Sequence, residues 1–304
     1  MSADNRAKNV KVISQHYDRF ADAFDRERAY AAEGWTGPAP IMNIGYWARG
    51  ATTARQAQEA FVHYAVEHLS PLAGQRVLDA GCGVAGPASI LARAYGAEVD
   101  GVSIVERQVG WARQFVSAAG LAERVRIHLG SAMDLPFPEA TFDVVFSLEA
   151  AHCFADKPRF LAEARRVLKP GGALLIVDLT ATRREIPFSW QPALKLRLVT
   201  KADWERLLSA AGFQVEESKP IGKEIFPGYR RWLHRTAPER RERIFRRVCP
   251  ADAGWPTRRA VAIRAWLTEA ALCRSVLPAA SQLGLREYTL LRALAPDSDR
   301  SGRG

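Results

Sequence analysis

The sequence has no apolar run near the ~18 residues a membrane helix needs. Its first residues, MSADNRAKNVKV, lack the apolar stretch of a secretory signal. Neither membrane insertion nor secretion is expected. Cysteine is scarce. Cys82, Cys153, Cys249 and Cys273 are widely spaced, with no C-x-x-C pair and no zinc spacing. That pattern fits a reducing, cytoplasmic compartment without disulfides. Acidic residues are outnumbered, 33 Asp and Glu against 43 Lys and Arg, a net charge of +10. The excess admits nucleic acid or an anionic substrate, and its location decides between them. With 48% apolar and 25% charged residues the composition is that of a packed chain, which argues against general disorder. Its 304 residues make one large domain or two small ones.

What is present falls into parts. Residues 1–70 read as helical. Phe20, Ala23 and Phe24 share one side of a polar stretch, and Ala60, Phe61, Tyr64, Ala65 and Leu69 recur at helical spacing. Between them lies a turn-rich segment, EGWTGPAPIMNIGYWARG. From residue 76 short apolar runs alternate with helical patterns. The strands are expected at 76–80, 98–102, 125–129, 142–148, 171–178 and from 213, with a last one at 286–294. Alternation of this kind predicts an α/β fold, a doubly wound, mainly parallel seven-stranded sheet with helices on both faces. In such a sheet ligands bind at the carboxyl ends of the strands.

The part from 71 to 218 is the expected binding core. Residues 219–284 interrupt the alternation as a helical, basic insertion before the last strand at 285–296. Thr236 and Glu239, with Pro238 between them, fit a capping box that would start a helix there. The tail 297–304, PDSDRSGRG without its proline, is expected to be disordered.

The strongest local signal is VLDAGCGVAGPA at 77–88. Gly81 and Gly83 lie between a strand and a helix, where glycine allows a tight turn and close approach of a ligand to the backbone. Gly81, Gly83 and Gly86 formally satisfy the dinucleotide pattern G-x-G-x-x-G. Asp79, two residues before the first glycine, argues against a pyrophosphate there. A carboxylate would repel phosphate and attract an ammonium group or hydroxyls, as S-adenosylmethionine offers.

Four segments occur in order over 76–178: VLDAGCGVAGPA, GVSIVERQV, LGSAMDLPFPEATFDVVFSLEAAH and FLAEARRVLKPGG. Together they resemble the class I S-adenosylmethionine-dependent methyltransferases, with their Rossmann-like fold. MNIGYW and the late helical insertion resemble sugar O-methyltransferases of macrolides such as erythromycin. LEAAH followed by VDL resembles the rebeccamycin sugar O-methyltransferase. The resemblance implies S-adenosylmethionine as cofactor, held by Asp79, Gly81 and Gly83, by Ser103, Ile104 and Gln108 after the second strand, by Ala132 and Met133 after the third, and by Leu148 at the end of the fourth. Val105 stands where that pattern usually has serine, and Ser131 where an acid usually meets the adenine amino group. Tyr17 and Tyr46 are implied as lid residues over the cofactor. No metal set is visible among the six histidines and the carboxylates.

Catalysis points to His152, after the fourth strand, and Asp178, at the end of the fifth. Methyl transfer is an in-line displacement, and an alcohol attacks well only as its proton leaves. A histidine can take that proton near neutral pH, and a carboxylate can orient it. In the rebeccamycin-type enzymes a His and an Asp match these places. Glu149 reads as structural rather than as the base.

The expected activity is O-methylation of a small-molecule secondary metabolite, a sugar or polyketide. C- or N-methylation, or a non-methylating cyclase or regulator on the same fold, are the alternatives. Sterol-type C-methyltransferases share the GCGVxGPA motif.

The basic excess is local. Residues 223–269 hold twelve Lys and Arg against five acids. A solvated helix face, or an anionic or carrier-borne acceptor, explains it better than nucleic acid, because the run lacks interleaved aromatics and a binding module. The insertion is expected as a lid, packed through Ile244, Phe245, Val248, Ile263, Trp266, Leu267 and Ala270, closing with residues 17–46.

Overall fold

The computed structural model describes residues 40–182, 198–249, 254–263 and 286–296. Tyr17, the stretch 18–25, residues 266–270 and the tail 297–304 lie outside the described residues.

The described elements are α1 (Ala54–Val66), β1 (Arg76–Ala80), α2 (Gly86–Tyr95), β2 (Glu98–Ser103), α3 (Glu106–Ala118), β3 (Val125–Leu129), β4 (Phe142–Leu148), a 3-10 turn (Ala151–Cys153), α4 (Lys157–Val167), β5 (Leu168–Ala181), α5 (Lys201–Ala210), β6 (Gln214–Pro220), α6 (Gly222–Val248) and β7 (Arg286–Leu294). The strands form one sheet in the order β3-β2-β1-β4-β5-β7-β6. All neighbours are parallel except β7, which runs antiparallel to both β5 and β6.

The order sets where a ligand can bind. From β1 the chain winds one way through β2 to β3, then returns to lay β4 on the other side of β1. The loops leaving β1 and β4 therefore diverge, and a crevice opens between them at the carboxyl edge. Both faces of the sheet are covered, so the strands read as nearly continuous apolar runs. Val77, Val99, Phe146, Leu175 and Val177 face one core, with α1 and α2 above it. Leu78, Val102, Val145, Leu174 and Ile176 face the other, with α4 and α5.

Local chemistry starts the helices. Thr53 caps α1 in a reciprocal box with Gln56, and Thr200 caps α5 with Asp203. Asp156 caps α4, just ahead of Pro158.

Three expectations are corrected. Strand β5 begins at Leu168, not Gly171. The register with β4 shifts between Phe142 and Val144, so Lys169–Gly172 bulge outward, and Gly171 takes φ 71°. Thr236 does not cap a new helix, because α6 runs unbroken from Gly222 to Val248 through Pro227 and Pro238. Its hydroxyl donates instead to the Trp232 carbonyl at 2.8 Å. A proline inside a helix costs about 3 kcal/mol. Burial of Ile225 and Leu233, on either side of Pro227, works against that cost at the first of the two prolines. Finally, Ile263 is 52% exposed rather than packed on the core. The helical stretch around it is exposed along most of its length, with Arg258 over Phe245 of α6.

Phe61 ties α1 to the sheet. It is fully buried and meets Tyr288 of β7 edge-on, 6.1 Å between ring centres. Phe61→Ala is expected to lower stability by ~3–5 kcal/mol, measured by urea denaturation. A loss below ~1 kcal/mol would show that this core collapses around the missing ring.

Candidate active site

The crevice between β1 and β4 carries the site. After Ala80, Gly81 adopts φ 92° and Gly83 φ 56°, and Ala85 enters α2 from a left-handed conformation. A Cβ on Gly81 would collide with Ala150, which follows β4. The glycine therefore lets the two loops at the switch point touch. Gly86 has another task, since a Cβ there would meet the Pro40 carbonyl and Ile41. The third glycine makes room for the 40–47 segment rather than for a pyrophosphate.

Asp79 is 2% exposed. Its carboxylate takes the Ala88 amide at the start of α2, while Oδ2 is buried without a partner. Burial pushes its carboxyl up to about 7, the Ala88 bond only partly opposing the shift. A buried, half-satisfied carboxylate at a glycine turn fits an incoming ammonium group, and this orphaned oxygen is what S-adenosylmethionine would satisfy.

At the end of β2 the Ser103 hydroxyl donates to Gln108 Oε1 at 3.1 Å and accepts the Val105 amide at 3.2 Å. Both side chains are buried. The Gln108 oxygen is so engaged, and its amide nitrogen is the end of the side chain that Ser103 does not use. Ile104 is half-buried beside them. Val105, in the serine position, begins α3 with no side-chain cap. After β3 the Ser131 hydroxyl accepts the Met133 amide at 3.1 Å. The acid of this turn is Asp134, whose exposed carboxylate faces Arg159 at 3.7 Å. Ala132 is buried, Met133 packs against the second core, and Leu148 closes β4.

Tyr46 is buried. It stacks on Tyr64, 4.2 Å between ring centres, beside Phe61. The residues of its segment that meet the glycine turn are Pro40, Ile41 and Met42, the last with its methyl 2.8 Å from where a Gly83 Cβ would lie.

His152 and Asp178 come together as expected. The His152 amide donates to Asp178 Oδ2 at 2.6 Å, and its Nδ1 pairs with Oδ1 at 2.5 Å. Asp178 is 1% exposed. Burial disfavours the imidazolium, but the Asp178 charge outweighs it and, with help from Cys153, holds the His152 pKa well above 6.5. Asp178 thus holds the ring through Nδ1 and not through Nε2.

Two further groups share this corner. Glu149 accepts the Ile44 amide at 3.1 Å and bonds the Tyr288 phenol of β7. Burial pushes its carboxyl up to about 8, although the Ile44 and Tyr288 bonds and His152 favour its ionised form. Tyr288 stands in an alternating strand, REYTLLRAL, whose register places it opposite Leu179. Sequence alone gave no signal for this pairing. Over the corner lies α6. Its Phe226 packs on Tyr288 at 5.3 Å, its Gly228 admits Trp47, and Arg235 donates to the Thr52 carbonyl.

The Asp79 environment has a pH signature. An ammonium partner returns the carboxyl to its ionised form, so binding of S-adenosylhomocysteine should weaken as pH falls below about 7. Asp79→Asn should cost ~10–100-fold in affinity, the worth of a hydrogen bond to a charged group, and flatten that pH dependence. Calorimetry between pH 5.5 and 8.5 checks both.

Residues 78–176 match the methyltransferase domain family. The chain is 36% identical over 166 residues to the 27-O-demethylrifamycin SV methyltransferase of Amycolatopsis mediterranei, covering 55% of this chain and 57% of that one. The matched stretch is thus little more than half that relative's length. It is 33% identical over 195 residues to the O-methyltransferase cnsE of Penicillium expansum, covering 61% of this chain and 70% of the relative. Among solved structures, the [4+2]-cyclase SpnF has the same fold, with a TM-score of 0.66 and 24% identity over 92% of this chain and 96% of its own. The seven-stranded sheet, the glycine turn and a relative aligned over 70% of its length agree, and the chain belongs to the class I S-adenosylmethionine-dependent methyltransferases.

Proposed function

We propose that this protein methylates a hydroxyl oxygen of a small secondary metabolite, a sugar or polyketide, with His152 as general base and Asp178 as its orienting partner. The observation that carries the reading is the two-point bond between them at the carboxyl edge, close to the glycine turn. S-adenosylmethionine, when bound, supplies a methyl group on a positively charged sulfur. Asp79, Gly81, Gly83, Ser103, Ile104, Gln108, Ala132, Met133 and Leu148 would hold it. His152 takes the acceptor proton at Nε2 as the oxygen attacks. Asp178 fixes the tautomer through Nδ1 and balances the imidazolium that forms. The segment 40–47 and α6 cover the edge, which orients the reactants and keeps water out. The names of the rifamycin and cnsE relatives support oxygen as the acceptor atom.

The basic run supports an anionic acceptor, or one borne by an acidic carrier protein. Arg230, Arg231 and Arg235 are exposed on α6. If they meet the acceptor, KM should rise with salt, because exposed charges are screened over ~8–10 Å. A KM independent of salt would leave them as a solvated face.

A second reading, a non-methylating cyclase, draws on the fold shared with SpnF. Release of S-adenosylhomocysteine during turnover excludes it, and product NMR distinguishes an O-methyl from a C- or N-methyl group.

His152→Ala should slow turnover ~10²–10⁴-fold, the usual worth of a general base, with cofactor affinity nearly intact. Asp178 raises the pKa of His152, so kcat/KM should climb with pH to a midpoint well above 6.5. Asp178→Asn should lower both the maximum and that midpoint. Stability follows the same linkage, since the pair's contribution is full below the ordinary histidine pKa of ~6.5 and fades as pH rises through the higher folded value. Full activity in His152→Ala would leave proximity, not base catalysis, as the source of rate.

A further inference from the structure

The segment 40–47 meets four separate parts of the molecule, one of them α1, where Asn43 exchanges hydrogen bonds with Gln58 and the Tyr46 amide donates to the Ala57 carbonyl at 2.8 Å. Pro40 and Ile41 occupy the space beside Gly86 at the start of α2, and Met42 reaches Gly83. At its other end the Trp47 amide donates to the Glu224 carbonyl of α6 at 3.3 Å, and its ring fills the space left by Gly228. Midway, the Ile44 amide donates to Glu149 Oε1 at 3.1 Å, and the Ile44 carbonyl accepts the Trp47 indole N–H at 2.7 Å.

Glu149 is itself pinned to the sheet. Its amide donates to the Val177 carbonyl at 2.9 Å, and its carboxyl holds the Tyr288 phenol. Its backbone is left-handed, φ 51°. A residue with a Cβ keeps that conformation at a cost, and only where its surroundings dictate it. Here the strained backbone aims a half-buried carboxyl between the sheet and the segment that crosses the glycine turn.

We propose that Glu149 is a positioning residue that seats the 40–47 segment across the glycine turn, and so joins the cofactor pocket to the reaction centre and to α6. The inference rests on the cofactor reading given above. It requires neither an oxygen acceptor nor His152 as base. The part Glu149 plays is that of a hydrogen-bond acceptor. Since burial pushes its carboxyl up to about 8, the group is largely neutral at pH 7, and a glutamine offers the same acceptor oxygen.

The decisive variants are Glu149→Gly and Glu149→Gln. Glycine accepts the left-handed backbone without strain, so a defect in Glu149→Gly comes from the missing side chain and not from the chain path. Glu149→Gly should weaken S-adenosylhomocysteine about tenfold, on the order of the Ile44 hydrogen bond that seats the segment, as measured by calorimetry. Amide hydrogen exchange across 40–47 should speed up by a similar factor, while β1 and β4 stay protected. Glu149→Gln should restore both to within ~twofold of the parent, because its amide oxygen still accepts. Unchanged affinity and exchange in Glu149→Gly would overturn the proposal. So would a Glu149→Gln variant as impaired as Glu149→Gly, which would mean that the charge matters and not the acceptor. The exchange measurement needs no ligand, so it decides the seating of the segment even if the parent protein failed to bind the cofactor. That last failure would count against the cofactor reading alone.

Discussion

Carboxyl groups taken out of water are the constraint around which this site is organised. Asp79 and Asp178 are buried near the carboxyl ends of β1 and β5, and Glu149, half-buried, follows β4 between them. An isolated buried charge is costly, so each group must find a partner or hold a proton. Their solutions differ. Asp178 takes a histidine and two short bonds. Glu149 takes a backbone amide and a phenol. Asp79 has one amide and an oxygen left over. In the function proposed above, the incomplete solution is where the cofactor binds and the complete one beside it carries the chemistry.

The strand order makes this crowding possible. Laying β4 beside β1 brings Ala150 onto Gly81, so the turn that receives a ligand and the turn that carries His152 share one wall. Asp178 follows because β5 is the next strand, and its last residues pass behind the 3-10 turn. Within this corner the relevant distances are set by backbone packing rather than by flexible side chains.

Much of this was legible beforehand. Period-two and period-3.6 patterns located the sheet core, and Asp79, Gly81, Gly83, His152 and Asp178 stood out by residue type and place. Other features depend on facts that a pattern does not hold. Thr236, Pro238 and Glu239 look like a helix start, yet α6 runs straight through them and the Thr236 hydroxyl turns back to the Trp232 carbonyl. Tyr46 has the chemistry of a lid residue, while its stacking on Tyr64 follows from how the segment before α1 folds back on that helix. Glu149 was visible as an acid, while its left-handed backbone was not. Its bond to Tyr288 joins residues far apart in the chain, and only the register of β7 brings them together.

The reversed last strand has an evolutionary consequence. The chain leaves the sheet after Pro220 and re-enters at Arg286, and both points lie at the carboxyl edge because β7 runs against β5 and β6. Glu287 sews them together, accepting the Gly222 amide at 2.6 Å and the Tyr288 amide at 2.8 Å from one oxygen. A connector whose ends are already joined can change length cheaply, since each doubling adds only about 0.6 kcal/mol of closure entropy. The connector is thus an exchangeable cassette. A lineage can lengthen it, shorten it or redraw its charge to admit a different guest, while the strands that grip the methyl donor stay as they are.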